Sequence, residues 1–130
     1  MFLSMREVIM RAGRFCIVWF TAAIAAASAE ASDGAALFVK NCQTCHSIDK
    51  TGAARQGPPL FGILGRTAGT VEGFKYSAGL KQAGWAWTPE KLDAWMAFPK
   101  KMIRDTFMVY RQNDPDIRKA IVAYIAEQKD

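Results

Sequence analysis

The glycine-rich stretch from residue 47 to residue 73 limits the folds open to this chain more than any other feature. Glycine and proline interrupt helices and strands, so the stretch is predicted to be a loop with at most short helical turns. A loop of this length is unusual in a small domain unless it wraps around something. A large bound cofactor would explain it. The residues responsible are Gly52, Gly57, Pro58, Pro59, Gly62, Gly65, Gly69 and Gly73.

The segments on either side of this loop have helical patterns. Ser32-Asp33 is a possible cap, and the spacing of apolar residues predicts an amphipathic helix over residues 35–45 that ends at the cysteines. Thr88-Pro89 begins a second helix, because threonine is a good N-cap and proline is tolerated at the first helical position. Pro99 is expected to end that helix at or near Phe98.

The last predicted helix has the clearest pattern. Asp114-Pro115 repeats the cap signal, and apolar residues follow at i, i+3, i+4, i+7 and i+8 from Ile117 to Ile125. No segment alternates apolar and polar residues as a strand would, so we expect no sheet. The sequence therefore predicts an all-α domain with long loops.

The five residues Cys42-Gln43-Thr44-Cys45-His46 form a C-x-x-C-H motif, the attachment signal for c-type haem. Cysteines at i and i+3 on a helical turn point to one side, where they can bond two substituents on one edge of a porphyrin. The adjacent histidine then reaches the iron, for which neutral imidazole is a good ligand. The motif predicts one haem c, bound covalently through Cys42 and Cys45, with His46 on the iron.

Other uses of the motif are weighed against the rest of the chain. A redox-active C-x-x-C usually accompanies a βαβ unit, and none is predicted here. A structural zinc site needs about four ligands, whereas the chain beyond residue 29 offers two cysteines and the single histidine. A disulfide between Cys42 and Cys45, or another metal, stays open as an alternative.

A haem iron also needs a sixth ligand or an open position, and a methionine thioether would raise its potential. Three methionines lie beyond residue 29. Met96 falls on the apolar side of the second predicted helix, which favours core packing. Met102 and Met108 lie between the last two predicted helices, where a side chain can be directed at the iron.

Residues 1–29 have the order of features of a secretory signal peptide. A basic region with Arg6, Arg11 and Arg14 precedes an uncharged apolar run over residues 15–27, and Ala27-Ser28-Ala29 is a small-x-small cleavage site. The run is shorter than the ~20 residues that span a bilayer. We therefore expect cleavage after Ala29 and a domain over residues 30–130 in the periplasm, with an uncleaved anchor as the alternative.

Removal of this leader would take away three Arg and one Glu and lower the net charge from +5 to +3. Such mild basicity does not indicate nucleic-acid binding. It is compatible with docking on acidic protein partners.

From about Gly34 to Gln128 the chain resembles the class I cytochromes c, the small soluble proteins of the mitochondrial type and their bacterial relatives. Gly34, Phe38 and Tyr124 match the family's contact between its first and last helices, where a glycine lets the helices cross closely. The resemblance implies the class I cytochrome c fold, with a few helices and long loops wrapped around one covalent haem.

The resemblance also implies site residues. Gly57-Pro58-Pro59-Leu60 matches the family's G-P-x-L segment, in which the carbonyl of the residue at Pro58 accepts the proton of the ligand histidine. Residues 62–69 resemble its G-x-x-G-R-x-x-G segment. Arg66, Tyr76 and Trp87 match residues that neutralise or hydrogen-bond a haem propionate, since an unpaired buried carboxylate is costly.

By the same register Met108 falls on the axial methionine, Thr106 on the neighbouring threonine and Met102 on an aromatic position. The family's P-G-T-K-M reads here as residues 104–108, Arg-Asp-Thr-Phe-Met. Without the proline and glycine, the loop is expected to take a different path or to hold Met108 less firmly. Trp95 stands where a tyrosine usually hydrogen-bonds the methionine sulfur, and Leu80 replaces an asparagine.

The sequence thus predicts a monomeric one-electron carrier, not an enzyme, that connects respiratory-type donors and acceptors. Lys100 and Lys101, with Lys40 and Lys81, could form a basic rim for docking on redox partners, with membrane contact only through partner complexes. One alternative is a haem-based gas sensor or peroxidase-like enzyme with an open or labile sixth ligand. Another is a dedicated subunit of one exported dehydrogenase.

Overall fold

The structure is a computed structural model that describes residues 33–130. The predicted leader and Ser32 lie outside the described residues. Within them the chain forms helices joined by long loops. The helices are α1 over residues 33–41, α2 Ala78–Lys81, α3 Pro89–Ala97, α4 Pro99–Met102 and α5 Pro115–Glu127.

Helices α1 and α5 cross closely at Gly34. A Cβ atom at this glycine would lie 2.5 Å from the Ala120 carbonyl oxygen and 2.8 Å from the Tyr124 Cβ atom. Beside the crossing, the rings of Phe38 and Tyr124 pack with their centroids 5.6 Å apart. This is the helix contact that the family resemblance implied, and it joins the two ends of the described chain.

Helices α3 and α5 begin where the cap signals predicted. The Thr88 side chain accepts a hydrogen bond from the Lys91 amide, and Pro89 is the first residue of α3. The Asp114 carboxylate likewise accepts from the amides of Asp116 and Ile117 at the start of α5. These bonds satisfy backbone donors that have no partner inside the helix.

Proline also sets the end of α3. The helix stops at Ala97, and Phe98 has an extended φ of −162°, as expected for a residue that precedes proline. Pro99 then begins the short helix α4. The sequence did not predict α4 or α2, since four residues are too few to give a periodic pattern.

A partly buried ion pair fixes α3 against α5. Arg118 donates to the Asp93 carboxylate over 2.8 Å and to the carbonyls of Gln112 and Asn113 over 3.0 Å, and its side chain is only 13% exposed. The Gln112 amide in turn donates to the Met96 carbonyl over 2.8 Å. These bonds hold the chain that leads into α5 on the end of α3.

The predicted first helix ends earlier than expected. Helix α1 stops at residue 41, and both cysteines lie on the turn that follows it. The Cys42 amide still donates to Phe38, but the amides of Cys45 and His46 both donate to the Cys42 carbonyl. The prediction that the helix itself extends to residue 45 was therefore wrong by one turn, because the chain tightens there to point both sulfurs and the imidazole inward.

Residues 47–73 form the predicted loop, without a helix. Across residues 33–130 the only strand-like pairing is an isolated bridge between Thr67 and Ala86. No helix in this range is long and apolar enough to cross a membrane. The buried core draws on helices and loops alike: Phe38, Leu60, Ile63, Ala68, Tyr76, Leu80, Trp87, Leu92, Trp95, Met96, Ile103, Ile121, Val122 and Ile125.

Candidate functional site

One deep cleft lies between the helices and the long loop. It holds about 1100 Å³ of space free of protein atoms, counting its open mouth. All of the site residues predicted from the sequence line it: Cys42, Cys45, His46, Pro58, Arg66, Tyr76, Trp87, Thr106 and Met108. The fold therefore gathers residues from positions 42 to 108 at one site.

Both cysteines line this cleft and are not joined by a disulfide. Burial, followed by the neighbouring Cys45, raises the pKa of the Cys42 thiol to about 11. A redox-active or metal-binding cysteine is instead activated by a lowered pKa. The Cys45 thiol donates to the Gln56 side chain over 3.3 Å, a contact that the sequence did not indicate. The environment of Cys42 thus favours the uncharged sulfur over the thiolate.

His46 is fixed by a hydrogen bond to the loop. Its Nδ1 atom lies 2.8 Å from the Pro58 carbonyl oxygen. Because a carbonyl can only accept, Nδ1 carries the proton and Nε2 keeps its lone pair. Burial lowers the pKa of His46, against the opposing effect of the Pro58 bond, so the ring is neutral at pH 7. Neutral imidazole with a free Nε2 is the form that binds a metal.

Gly57 makes room for that imidazole. A Cβ atom at this position would collide with the His46 ring, and it would lie 2.5 Å from Nδ1. The Gly57 amide donates to the Cys45 carbonyl over 2.7 Å, and the Leu60 amide to the Ser47 carbonyl over 2.9 Å. The loop is thus pinned to the cysteine turn so closely that only a glycine fits beside the ring.

Met108 enters the cleft from the segment between α4 and α5. The Trp95 indole Nε1 donates to its sulfur over 2.9 Å, from the position at which the family usually has a tyrosine donor. The Met108 amide donates to the Thr106 hydroxyl over 3.2 Å. A thioether sulfur has two lone pairs, and the indole occupies one of them. The other remains available to a soft metal ion.

Arg66, Tyr76 and Trp87 are brought together on another part of the lining. Backbone bonds pair residues 65–68 with residues 85–87, and one of them joins the Trp87 amide to the Arg66 carbonyl. The Arg66 guanidinium donates to the Pro59 carbonyl over 2.7 Å. Burial lowers the pKa of Arg66 and raises that of Tyr76, and their proximity opposes both shifts. A partly buried cation next to a neutral phenol suits a carboxylate guest.

Two features of the Met108 segment were missed from the sequence. The Asp105 carboxylate is hydrogen-bonded to residues 77 and 79 at the start of α2. Two large apolar side chains beside Met108 are exposed, Phe107 at 64% and Val109 at 84%. Asp105 has no local signal, because its partners are more than 25 positions away in the chain. The sequence shows that Phe107 and Val109 are apolar, but their exposure depends on how the fold places the segment around Met108.

The exposed apolar pair is accompanied by basic residues. Lys100 and Arg111 line a shallow depression together with Phe98, Met108 and Val109. The Arg111 guanidinium lies 4.2 Å from the centroid of the Phe98 ring. Lys40, Lys81 and Lys101 are exposed as well. Lys40 and Lys81 each adjoin a residue that lines the main cleft, namely Asn41 and Leu80.

The donor set fits a haem and does not fit a zinc ion. Over residues 33–130 no three or more His, Cys, Asp or Glu side chains are grouped to hold a metal. The cleft instead offers one imidazole and one thioether, two cysteines, a cation beside a phenol, and apolar walls such as Ile63 and Leu80. These are the groups that a covalently attached iron porphyrin with carboxylate substituents requires.

Comparison with known proteins agrees with this arrangement. Residues 31–129 match the model of the family described as Cytochrome c. Cytochrome c 2.1 of Caenorhabditis briggsae is 42% identical over 93 residues, which cover 71% of this chain and 82% of that protein. Cytochrome c of Guizotia abyssinica is 36% identical over 101 residues, 77% of this chain and 91% of that protein.

A bacterial relative extends the comparison. The protein named cytochrome c-type cyt cy of Rhodobacter capsulatus is 43% identical over 81 residues, 62% of this chain and 40% of that protein. The family match covers most of the chain, and the helical fold agrees with it. The chain therefore belongs to the cytochrome c family, and its cofactor is haem c bound through the C-x-x-C-H motif of Cys42, Cys45 and His46.

Proposed function

We propose that this haem-containing electron carrier binds iron through His46 and Met108 and passes single electrons between respiratory-type redox proteins. The observation that carries the proposal is the meeting, in one cleft, of a neutral imidazole with a free Nε2 and a thioether sulfur. The haem supplies an iron that changes its oxidation state by one electron. The chain supplies two ligands of fixed position.

Both proposed ligands are held by a second contact. Pro58 orients the His46 ring, and Trp95 and Thr106 hold the side chain and the amide of Met108. A hydrogen bond from the ligand histidine to a carbonyl also makes the imidazole a better donor. Ligands that do not move between oxidation states keep the rearrangement during electron transfer small. This supports a carrier rather than a site that opens to bind a substrate.

We assign the haem propionates to Arg66, Tyr76, Trp87 and Thr106. The Arg66 guanidinium and the Tyr76 phenol are partly buried in the cleft lining and close enough to affect each other's pKa. Thr106 is buried and lines the same cleft. A carboxylate taken out of water requires such partners, since the cost of leaving it unpaired is large.

The proposed docking surface consists of the exposed apolar residues Phe107 and Val109 and the basic residues Lys40, Lys81, Lys100 and Lys101 around the cleft. Its proposed partners are redox proteins with acidic docking faces. The positive charges would mainly raise the association rate, and the effect would weaken with added salt. We propose that the chain docks as a monomer and reaches membranes only through such partners.

We also propose that residues 1–29 are removed on export and that residues 30–130 work in the periplasm. The basic, apolar and small-residue regions of the leader support this proposal. Mass spectrometry of protein purified after expression with a haem-attachment system tests it. A mature chain that begins at Glu30 is expected, and one that retains Met1 would contradict cleavage.

Voltammetry of the purified holoprotein tests the carrier function. A reversible one-electron wave is expected, with a peak separation that stays constant as the scan rate increases. In Met108→Ala the potential should fall, because the thioether favours ferrous iron. Separate oxidation and reduction waves in the wild type, with positions that depend on scan rate, would indicate ligand exchange and would contradict the proposal.

A further inference from the structure

The Asp105 side chain forms hydrogen bonds between the segment that leads to Met108 and the short helix α2. One oxygen of the Asp105 carboxylate accepts from the Gly79 amide over 2.9 Å, and the other accepts from the Ser77 hydroxyl over 3.1 Å. The Ser77 hydroxyl also accepts from the Leu80 amide over 3.3 Å. We call these contacts among Asp105, Ser77 and Gly79 the Asp105 clasp.

The residues around the clasp leave space for the Asp105 carboxylate. A Cβ atom at residue 79 would collide with the Asp105 carboxylate, so Gly79 permits the close approach. Asp105 itself is exposed, so both of its carboxylate oxygens could accept hydrogen bonds from water if the clasp were absent. Its bonds are therefore not needed to satisfy a buried charge. Their effect is to fix where residues 103–108 lie relative to α2.

Hydrogen bonds between neighbouring residues connect the clasp to Met108. Thr106, the next residue, is buried, and its amide donates to the Ile103 carbonyl over 3.3 Å. Its hydroxyl accepts from the Met108 amide. On the far side of Met108, the Gln112 amide donates to Met96 and the Arg111 side chain to Ala97. The methionine segment is thus attached to α2 before the sulfur and to α3 after it.

We propose that Asp105 is a positioning residue that slows the departure of Met108 from the iron by attaching residues 103–108 to α2. This inference rests on the proposed role of Met108 as sixth ligand. It also explains how a loop without proline or glycine at residues 104 and 105 can hold Met108, because the clasp attaches the loop to α2. Loss of the clasp leaves the His46 side of the site unchanged.

The test is the displacement of Met108 by imidazole in the ferric holoprotein. At high imidazole concentration the rate no longer depends on concentration and equals the rate at which the sixth ligand leaves. In Asp105→Ala this limiting rate should rise by about fivefold, a size suited to the loss of two exposed hydrogen bonds to a carboxylate. Asp105→Asn, which keeps an acceptor for Gly79, should give an intermediate rate, as should Ser77→Ala.

Asp114→Ala is the matched control, because Asp114 also accepts two hydrogen bonds at the start of a helix, α5, but is not attached to α2. Its limiting rate should stay within about twofold of the wild type. An unchanged rate in both Asp105 variants, or an equal rise in Asp114→Ala, would overturn the clasp alone. A wild-type ferric spectrum without sulfur-to-iron absorption would overturn the Met108 assignment and the clasp together.

Discussion

The indole nitrogen of Trp95 donates a hydrogen bond to the sulfur of Met108 over 2.9 Å. Trp95 is buried, and its ring packs edge-on against Trp87 with centroids 5.5 Å apart. The indole therefore has little freedom to rotate away from the sulfur. The bond both orients the thioether and draws electron density from it.

Trp95→Phe is expected to lower the reduction potential. The variant keeps an aromatic ring against Trp87 but loses the N–H donor, so the sulfur donates more strongly and ferric iron gains stability. A hydrogen bond of about 1 kcal/mol, of which part differs between oxidation states, corresponds to roughly 20–40 mV for one electron. Equilibrium redox titration measures the change. An unchanged or higher potential would contradict the role given to the indole.

Gly57→Ala is expected to disturb the histidine side of the haem site. Its Cβ atom would overlap the His46 ring, so the ring or the loop must shift, at a cost of about 1–3 kcal/mol in the free energy of unfolding. Denaturant unfolding and the visible spectrum of the holoprotein measure the two effects. We expect lower stability together with an altered low-spin spectrum.

Gly73→Ala is the control for this change. Gly73 has a φ of +73° with no neighbour within 4 Å of an added Cβ atom. The variant should lose about 1–2 kcal/mol through backbone strain while its spectrum stays that of the wild type. An unaltered spectrum in Gly57→Ala would mean that the position of the His46 ring does not depend on the space beside residue 57.

Acid should remove the stabilising effect of Asp105. The bond from the Gly79 amide holds the pKa of this carboxyl below its ordinary value, and the Ser77 hydroxyl acts in the same direction against desolvation. The ionised form is therefore favoured by the fold. Its contribution is present above about pH 4 and is lost as the pH falls further, through the pKa of the folded state.

The stability difference between the wild type and Asp105→Asn should accordingly shrink as the pH falls from 6 through this range. Unfolding free energies of both holoproteins at a series of pH values measure it, and the Gly79 amide shift reports the carboxyl titration directly. A difference that stays constant or grows on acidification would contradict a lowered pKa for Asp105.

Charge reversal at Lys100 and Lys101 should slow electron transfer to an anionic oxidant. Both residues are exposed on α4, and Lys100 shares a depression with Met108. The double change to Glu should lower the rate of oxidation by hexacyanoferrate(III) by about tenfold at low ionic strength, with a smaller difference at high salt.

Lys119→Glu makes a single charge reversal on the exposed side of α5, and it should change this rate by less than about twofold. Stopped-flow measurements at several salt concentrations compare the variants. A rate lowered by about threefold in Lys119→Glu, which makes half of the charge change, would show that net charge, and not a surface beside the cleft, determines the rate.

The sequence predicted the features that depend on local signals or on fixed spacing. Thr88-Pro89 and Asp114-Pro115 marked two helix starts because a cap and a proline act on adjacent backbone. The contact of His46 with Pro58 was implied by the resemblance of residues 57–60 to a segment of the family. The sequence overestimated the length of the first helix, because residues 42–45 form a turn in which the amides of Cys45 and His46 both donate to the Cys42 carbonyl.

The Asp105 clasp could not be predicted in this way. Its partners, Ser77 and Gly79, lie next to Asp105 only in the folded arrangement of the loop and α2. The sequence of residues 104–105 showed only that the proline and glycine usual in the family are replaced. The exposure of Phe107 and Val109, which line the cleft together with Met108, likewise depends on the path of the loop. Such features depend on the packed arrangement rather than on a repeating pattern.

Carbon monoxide binding to the ferrous holoprotein tests the central claim, that His46 and Met108 both ligate the iron of an electron carrier. We expect a sharp low-spin spectrum that carbon monoxide leaves unchanged in the wild type, and rapid formation of a carbon monoxide complex in Met108→Ala. Rapid conversion of the wild type would contradict it, since a readily opened sixth position suits gas sensing or catalysis.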